Sequence, residues 1–343
     1  MKLTRLTGKG QLRRPLLALA AAAAAVTIAA CGSSSASSSG SDSADSASSA
    51  DYTVHFGYIN SGAKAGLTGP WGFAYSKGLL QQWLKSDGVT LSLSEFTNGP
   101  LLTAAMVGGS VDAGVLGDTP ALIAKSQGLQ ATFVSQPEIG NAAWIIAQPS
   151  ITSLSQLAGK MVARQQGSYL DRYVQGLLQE KGLLSKVKLV AMLSPQSTPA
   201  FEAGSLDAIV VTPATWTQLE KTGKKYNILA KSETTPSIQG TQAAVVSDKA
   251  LAAHPNLATI WNTVRVKSVQ YADAHAGEYY AWAAAQGDTT VALEEESAPL
   301  STYPIPNFTT SGIKQLQGTL NFLVSEKEAS SFSIQDWETK SGD

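Results

Sequence analysis

Short β-branched runs alternate with amphipathic stretches along most of the chain. Residues 53–59 (TVHFGYI) and 90–96 (TLSLSEF) predict strands, and residues 71–84 between them (WGFAYSKGLLQQWL) predict a helix. Further strands are predicted at 112–117, 131–136 and 142–148, with helices at 100–109 and 120–128. This alternation is typical of an α/β layer fold with a largely parallel sheet.

A second series of the same kind begins near residue 153. Ser153 and Gln156 stand at capping-box spacing at its start. Predicted strands at 161–165, 186–193 and 206–211 alternate with predicted helices at 168–183 and 198–205. From residue 241, a further strand and three or four helices complete the chain. The sequence therefore predicts two α/β halves.

One phrase occurs in both halves. Residues 109–121 read GSVDAGVLGDTPA, and residues 204–216 read GSLDAIVVTPATW. Each copy begins at a glycine, Gly109 or Gly204, where a helix is predicted to end with φ > 0, which glycine adopts without steric cost. An aspartate and a short apolar strand follow in each copy.

Each copy of the phrase ends in Thr-Pro-Ala. Thr119 and Thr212 are suited to an N-cap, and Pro120 and Pro213 to the first helical position. Such turns recur in any α/β fold, so one copy would indicate little. Two copies, one in each half, favour a shared cleft, because ligands bind at the carboxyl ends of parallel strands and helix N-termini offer free N–H groups.

The start of the chain has the order of a secretion signal. Basic residues within the first 14 positions precede an apolar run from Leu16 to Ala30, which is too short to cross a bilayer comfortably. The stretch Ile28-Ala29-Ala30-Cys31 resembles the lipobox of bacterial lipoproteins, in which cleavage precedes the cysteine and the thiol is lipidated. The alternatives are an uncleaved span, or an ordinary cleaved signal with a free thiol.

The segment after Cys31 is nearly all Ser, Ala, Gly and Asp up to residue 50. Such a composition cannot bury enough apolar surface to offset the entropy of ordering, so we expect a flexible tether. The sequence thus predicts a signal peptide at 1–30 and a lipidated cysteine with its tether at 31–51.

The charge balance argues against a nucleic-acid partner. The chain has 25 Lys and Arg against 26 Asp and Glu, and five of the basic residues belong to the signal. The remainder therefore carries 20 basic and 26 acidic residues, a net charge of −6, without a basic cluster.

Residues 95–216 resemble the substrate-binding proteins of ABC importers for sulfonates, nitrate and taurine, a group that includes thiamine-precursor binders. The resemblance is carried by EFTNGPLLTAAMVGGSVDAGVLGDTPALIAKSQG (95–128), SLSQLAGKMVARQQGSYLDRYVQGLLQEKGL (153–183) and PAFEAGSLDAIVVTPATW (199–216). It implies a type II periplasmic-binding-protein fold, in which two α/β lobes joined by crossover strands enclose a ligand.

The resemblance also implies lobe boundaries and a set of site residues. The first lobe is expected to comprise 52–147 and 241–343, and the second 148–240, with crossovers near 147–150 and 240–243. The candidate ligand-binding residues are Trp71, Asn98, Gly117, Asp118 and Thr119 in the first lobe, and Gln166, Gly167, Ser168, Thr212 and Trp216 in the second. A structural role stays open for several of them: Ser168 as a cap only, and each Trp as part of the core. Asp118 is also open to a structural role, because a carboxylate beside a bound anion would repel it unless it were bonded to backbone N–H groups.

The implied ligand is a small organic anion, such as an aliphatic or aromatic sulfonate, held by helix N-termini and neutral donors. Nitrate, taurine or a thiamine-pyrimidine precursor are the alternatives. Two departures from the family bear on the ligand: Gln166 replaces a frequent basic residue, and the loop at 60–72 is long and glycine-rich. Arg164 and Arg172 are expected to be solvated, and the alternative is that either one reaches the cleft.

An enzyme is the rival class, because pyrimidine-forming enzymes share this fold. His55, His254 and His275 show neither metal spacing nor a paired nucleophile, and the run Glu294-Glu295-Glu296 is most simply a solvated helix face. A structural or adhesive lipoprotein would not need two helix starts directed into a cleft. The sequence thus predicts a monomeric binding protein without metal or cofactor, lipid-anchored outside the cell membrane and partnered by ABC permease subunits.

Overall fold

The computed structural model describes residues 51–60 and 63–339. The predicted signal peptide, Cys31 and nearly all of the tether lie outside the described residues. Among the described helices, none combines the length and apolar character that crossing a membrane requires.

Eleven strands and thirteen α-helices make up the described part of the chain. The strands are β1 (Tyr52–Ile59), β2 (Val89–Phe96), β3 (Ala113–Gly117), β4 (Ala131–Ser135), β5 (Ile139–Asn141), β6 (Trp144–Ala147), β7 (Met161–Arg164), β8 (Lys188–Ala191), β9 (Ala208–Val211), β10 (Asn227–Lys231) and β11 (Gly240–Ser247). The helices are α1 (Gly69–Ser76), α2 (Leu79–Ser86), α3 (Gly99–Val107), α4 (Asp118–Ser126), α5 (Tyr169–Glu180), α6 (Ser194–Glu202), α7 (Pro213–Lys221), α8 (Asp248–Ala253), α9 (Leu257–Ala274), α10 (Ala276–Gly287), α11 (Val291–Ser297), α12 (Thr310–Ser325) and α13 (Ile334–Trp337).

The strands form two sheets of matching design. The first has the order β2-β1-β3-β11-β4, and the second β8-β7-β9-β6-β10. In each sheet the first three strands are parallel, and one strand, β11 or β6, is antiparallel to both of its neighbours. The predicted α/β fold of two lobes with largely parallel sheets is confirmed, and the reversed strand in each sheet is the one that follows a crossover.

Apolar side chains cover both faces of each sheet. In the first sheet, Val246 packs against α1, α2 and α9, whereas its neighbour Val245 faces α4 and α12. In the second sheet, Val210 faces α5 and Ile209 faces α6 and α7. Because successive strand residues point to opposite faces, the continuous apolar runs in the sequence reflect sheets buried on both sides.

The crossovers lie at a short antiparallel pair. β5 pairs with the start of β11, with Asn141 opposite Gly240. The chain then enters the second sheet as β6, so the first crossover precedes Trp144, and the expected crossover at 147–150 is wrong. An apolar strand at 142–148 fits either sheet, so the sequence could not assign it. We call residues 51–141 and 240–339 the first lobe and 142–239 the second lobe.

The helix predicted at 71–84 is two helices. α1 ends at Ser76, and α2 begins at Leu79 after Gly78, which has φ of 75°. A residue in this left-handed conformation cannot continue a helix, and glycine adopts it at no steric cost. The apolar periodicity continues across the break because both helices pack on the same core.

The repeated phrase performs the same structural task in both lobes. Gly109 and Gly204 have φ of 74° and 75°, as predicted. The Asp112 backbone N–H donates to the His55 carbonyl, and the Asp112 carboxylate accepts the His55 N–H at 3.0 Å. Asp207 makes the same two bonds to Met161, at 3.0 and 2.8 Å. Each aspartate thus fixes the register between two parallel strands.

Candidate functional site

A cavity of about 210 Å³ lies between the lobes, at the carboxyl ends of the parallel strands. Its walls come from both lobes and from the crossover segments. The volume is below the range of about 300–1,000 Å³ that is usual for drug-sized ligands, so the cavity suits a small solute. The lining includes Tyr58, Thr68, Trp71, Asn98, Gly117, Glu138, Asn141, Gln165, Ser168, Tyr169, Thr212, Ala214, Gln242, Tyr279, Trp282, Gln286, Glu294 and Tyr303.

Five of the described helices begin at the cavity, and one of them, α1, starts there after its N-cap Thr68. The Asn98 side chain caps α3 by accepting the Leu101 N–H at 3.0 Å, and Ser168 caps α5 by accepting the Asp171 N–H at 3.3 Å. Thr212 caps α7 by accepting the Thr215 N–H at 3.3 Å. Gly117 is the N-cap of α4. The sequence-predicted caps Ser168 and Thr212 are confirmed, while their contact with a ligand stays a prediction.

Thr119 and Asp118 lie outside the cavity wall. The expected N-cap at Thr119 is wrong, because Gly117 is the N-cap and α4 begins at Asp118, two residues before the predicted start at Pro120. Thr119 is 1% exposed, and its hydroxyl donates to the Asp118 carboxylate at 3.0 Å. Asp118 also accepts the Thr241 N–H of β11 and the Thr319 hydroxyl of α12. This geometry supports the structural alternative for Asp118, a buried anchor between three elements.

Three of the candidates in the second lobe are also absent from the cavity wall. Gln166 is exposed, and Gly167 donates its N–H to Asp171 at 3.0 Å. Trp216 packs against the core of the second lobe on α7. The neighbouring Gln165 lines the cavity instead of Gln166. In this loop, neighbouring side chains point in different directions, so Gln165 and not Gln166 faces the cavity. The hydrophobic periodicity of the sequence does not predict side-chain direction in a loop.

Aromatic side chains form one wall of the cavity. Trp71 lines it and meets Tyr303 edge-on, with ring centroids 5.8 Å apart. Tyr279 and Trp282 of α10 line the same wall, with ring centroids 6.3 Å apart. Of these four, only Trp71 was predicted from the sequence. The others lie in a helical region whose aromatic spacing is typical of core packing.

Two carboxyl groups line the cavity. Burial and the charge of Glu294 raise the pKa of Glu138 to about 7. Burial also raises the pKa of Glu294, although the Thr289 hydroxyl donates a hydrogen bond to it. The expected solvated face at 294–296 is therefore wrong for Glu294, which is half-buried, whereas Glu295 and Glu296 are exposed.

The two arginines near α5 are held away from solvent. Arg164 forms an ion pair with Asp171 at 2.7 Å. Arg172 is 6% exposed, and its guanidinium lies 4.0 Å from the Phe322 ring centroid. The expected solvated positions are therefore wrong, because both guanidiniums are enclosed where α5 packs at its start and against the first lobe. Neither residue lines the cavity.

Ion pairs link the lobes beside the cavity. Lys221 of α7 contacts Asp288 at 2.6 Å, and Lys231 of β10 contacts Glu296 at 2.7 Å. In both pairs the lysine belongs to the second lobe and the carboxylate to the first. Exposed pairs of this kind contribute little to stability.

The described residues contain no group of His, Cys, Asp and Glu arranged to hold a metal ion. His254 stacks on Tyr52 at 3.4 Å between ring centroids, and the His275 ring lies 2.9 Å from the Tyr271 carbonyl. None of the three histidines lines the cavity. The titratable groups of the cavity wall are therefore glutamates and tyrosines.

A family model described as NMT1/THI5 like matches residues 78–279. The taurine-binding periplasmic protein of Escherichia coli (strain K12) is 27% identical over 151 residues, 43% of this chain and 46% of that protein. The chain spans between 38% and 61% of the length of the other curated relatives it matches.

The fold is shared with solved structures. The alkanesulfonate-binding protein SsuA from Xanthomonas axonopodis pv. citri, bound to MOPS, has a TM-score of 0.67 at 20% identity, covering 81% of this chain and 94% of that one. The desulfurization enzyme DSZB has a TM-score of 0.61 at 15% identity, covering 84% and 97%. Binding proteins and an enzyme thus share the two-lobed architecture, so the fold alone does not decide between them.

Proposed function

Because the chain belongs to the NMT1/THI5-like family, we propose that it is the extracytoplasmic substrate-binding component of an ABC importer. It captures a small organic solute between its lobes and delivers it to permease subunits. The relatives bind taurine and alkanesulfonates by name, so these solutes are the first candidates to test. The protein acts as a monomer and has no catalytic role in this proposal.

One observation carries the proposal: the cavity is built from both lobes. Asn98 and Gly117 approach it from the first lobe, and Ser168 and Thr212 from the second. A ligand that contacts both lobes binds the closed form better than the open form, so it shifts the population towards closure. The ion pairs Lys221–Asp288 and Lys231–Glu296 are exposed and weak, so ligand contacts that reach both lobes would add to the stability of the closed form.

We expect ligand to close the lobes. A thermal-shift screen of sulfonates, taurine, nitrate, pyrimidines and small amines should reveal a stabilising solute, with about 2.7 kcal/mol of stabilisation at a hundredfold excess over Kd. Small-angle scattering should then show a smaller radius of gyration at saturation.

Filling the cavity should abolish both the stabilisation by solute and the decrease in the radius of gyration. Ala214 lines the cavity in the first turn of α7, so Ala214→Trp should remove the stabilisation and the closure. Ala252→Trp, on an exposed position of α8, is the matched control and should behave like the parent. A solute that stabilises the Ala214→Trp protein as well as the parent would place binding elsewhere and refute the proposed site.

We further propose a lipid anchor at Cys31. The support is the sequence alone: Ile28-Ala29-Ala30 precedes the cysteine, and a Ser-rich segment follows. Cys31→Ser should move the protein from the membrane fraction to the soluble fraction while leaving solute binding unchanged. Mass spectrometry of the mature N-terminus should detect the lipid in the parent only. Retention of the Cys31→Ser protein in the membrane after signal cleavage would contradict the anchor.

A further inference from the structure

The charge of the cavity wall is opposite to what a simple anion requires. Its charged side chains, among the described residues, are the two carboxylates Glu138 and Glu294; no Lys, Arg or His lines it. Arg164 and Arg172 are close in sequence to the cavity residues Gln165 and Ser168, but neither lines the cavity. Arg164 forms an ion pair with Asp171, and Arg172 packs against the Phe322 ring. An anion placed here would therefore meet carboxylates without a compensating cation.

Of the two carboxylates, Glu138 has fewer hydrogen-bond partners. The Glu294 carboxylate accepts a hydrogen bond from Thr289. Within the described residues, the Glu138 carboxyl makes no side-chain hydrogen bond or ion pair, and the residue is half-buried at the crossover. Because its surroundings disfavour the charged form, a cationic or N–H-bearing ligand would stabilise the carboxylate.

A second polar group beside Glu138 is also unpartnered. Asn141 lines the cavity, is 7% exposed, and its Oδ1 accepts no hydrogen bond from the described residues. Gln242, on the returning strand β11, lines the cavity with a buried Oε1 in the same condition. Buried amide oxygens are nearly always hydrogen-bonded, so two unpaired acceptors at one cavity indicate a ligand that donates.

The aromatic wall favours the same ligand. Trp71, Trp282, Tyr279 and Tyr303 line the cavity, and the faces of such rings carry negative electrostatic potential. A cationic nitrogen with a short apolar body would therefore find both carboxylates and aromatic rings in the cavity wall.

We propose that the cavity binds a small organic amine, with its protonated nitrogen directed to Glu138 and Glu294. The inference rests on the proposed function and narrows it to a ligand class. A ligand that also carries an anionic end could direct that end to the helix starts at Ser168 and Thr212, which lie on the second-lobe side of the cavity.

Matched probes separate the amine from the anion. Propylamine, 3-aminopropanesulfonate and propanesulfonate share a three-carbon chain, and phenylethylamine with phenylethanesulfonate adds a ring to fill the aromatic wall. We expect calorimetry to show tighter binding for propylamine and 3-aminopropanesulfonate than for propanesulfonate. Phenylethylamine should likewise bind more tightly than phenylethanesulfonate. Glu138→Gln should weaken amine binding by about tenfold or more, because a hydrogen bond to a charged group is lost. Glu295→Gln, an exposed neighbour of Glu294, should have no effect.

Amine binding should also strengthen as pH rises from 5.5 to 8. The groups facing Glu138 are Glu294 on α11, Tyr169 on α5, Tyr279 on α10 and Tyr303 beyond it. Burial raises the pKa of all three tyrosines above its usual value, so they stay neutral in this window. The Glu138 carboxyl, with its pKa of about 7, loses its proton across the window and gains attraction for the amine.

The outcomes are distinct. Tighter amine binding that depends on Glu138 supports the inference. Sulfonates that bind and close the lobes while amines do not, or amine binding unchanged in Glu138→Gln, would overturn the inference and leave the proposed function standing. If no probe and no member of the wider screen stabilises the protein or changes its radius, both are wrong.

Discussion

Asp118→Ala is expected to lower the free energy of unfolding by about 3–5 kcal/mol, because it removes a buried carboxyl group that accepts hydrogen bonds from several donors. The carboxylate is fully buried and accepts the Thr119 N–H at 2.6 Å and the Thr241 N–H at 3.2 Å. It also accepts the hydroxyls of Thr119 and Thr319. The substitution leaves buried backbone donors unpaired at the junction of α4, β11 and α12.

Urea unfolding measures the loss. Asp87→Ala, at an exposed position after α2, is the control and should change stability by no more than about 0.5 kcal/mol. If Asp118→Ala does not accumulate as folded protein, Asp118→Asn retains the volume and should still lose part of the stability. An Asp118→Ala protein as stable as the parent, but unable to bind solute, would return Asp118 to the ligand site.

Asp171→Ala is expected to cost a similar amount in the second lobe, about 3–5 kcal/mol, because it breaks a buried ion pair. Arg164 Nη1 lies 2.8 and 2.7 Å from the two Asp171 oxygens, and the side chains are 17% and 1% exposed. The same carboxylate accepts the Gly167 N–H and the Gln175 amide, each at 3.0 Å. Its loss leaves the Arg164 guanidinium without a counterion and removes hydrogen bonds that hold the start of α5 at the cavity.

A second substitution measures how much of the stability lost in Asp171→Ala is due to the unpaired Arg164 guanidinium. Arg164→Met combined with Asp171→Ala should recover part of the stability, since no charge is left without a partner. Glu278→Ala breaks the exposed pair with Lys77 and should have a far smaller effect. If Asp171→Ala and Glu278→Ala unfold at the same urea concentration as the parent, the buried pair contributes nothing to stability.

Features encoded by neighbouring residues were predictable from the sequence. Ser168 and Thr212 cap helices through N–H groups three residues away, and Gly109 and Gly204 end helices through their own backbone freedom. In these cases the deciding interaction lies within one turn of the chain. The repeated alternation of strands and helices predicted α/β layers in both halves, and the resemblance to binding proteins implied two lobes around a ligand.

Features decided by distant contacts were not predictable. Asp118 takes the first position of α4 and binds Thr241 and Thr319, which lie 123 and 201 positions away in the sequence. Glu138 and Glu294 meet only because the crossover and α11 line the same cavity. The run of three glutamates gives no sign of which one faces inward, since packing alone selects the face of α11.

The pairing of β5 with β11 at the crossover determines how the second lobe could be removed from the chain. Asn141 lies opposite Gly240 and Ile139 opposite Thr241, so the second lobe leaves and rejoins the first through adjacent strands of one ladder. The second lobe is therefore an insertion in a hairpin of its host, a position where excision or exchange is tolerated because the two cut ends already lie side by side. A tight two-residue turn from Asn141 to Gly240 would close that hairpin, leaving the host with its own sheet and both of its apolar faces covered.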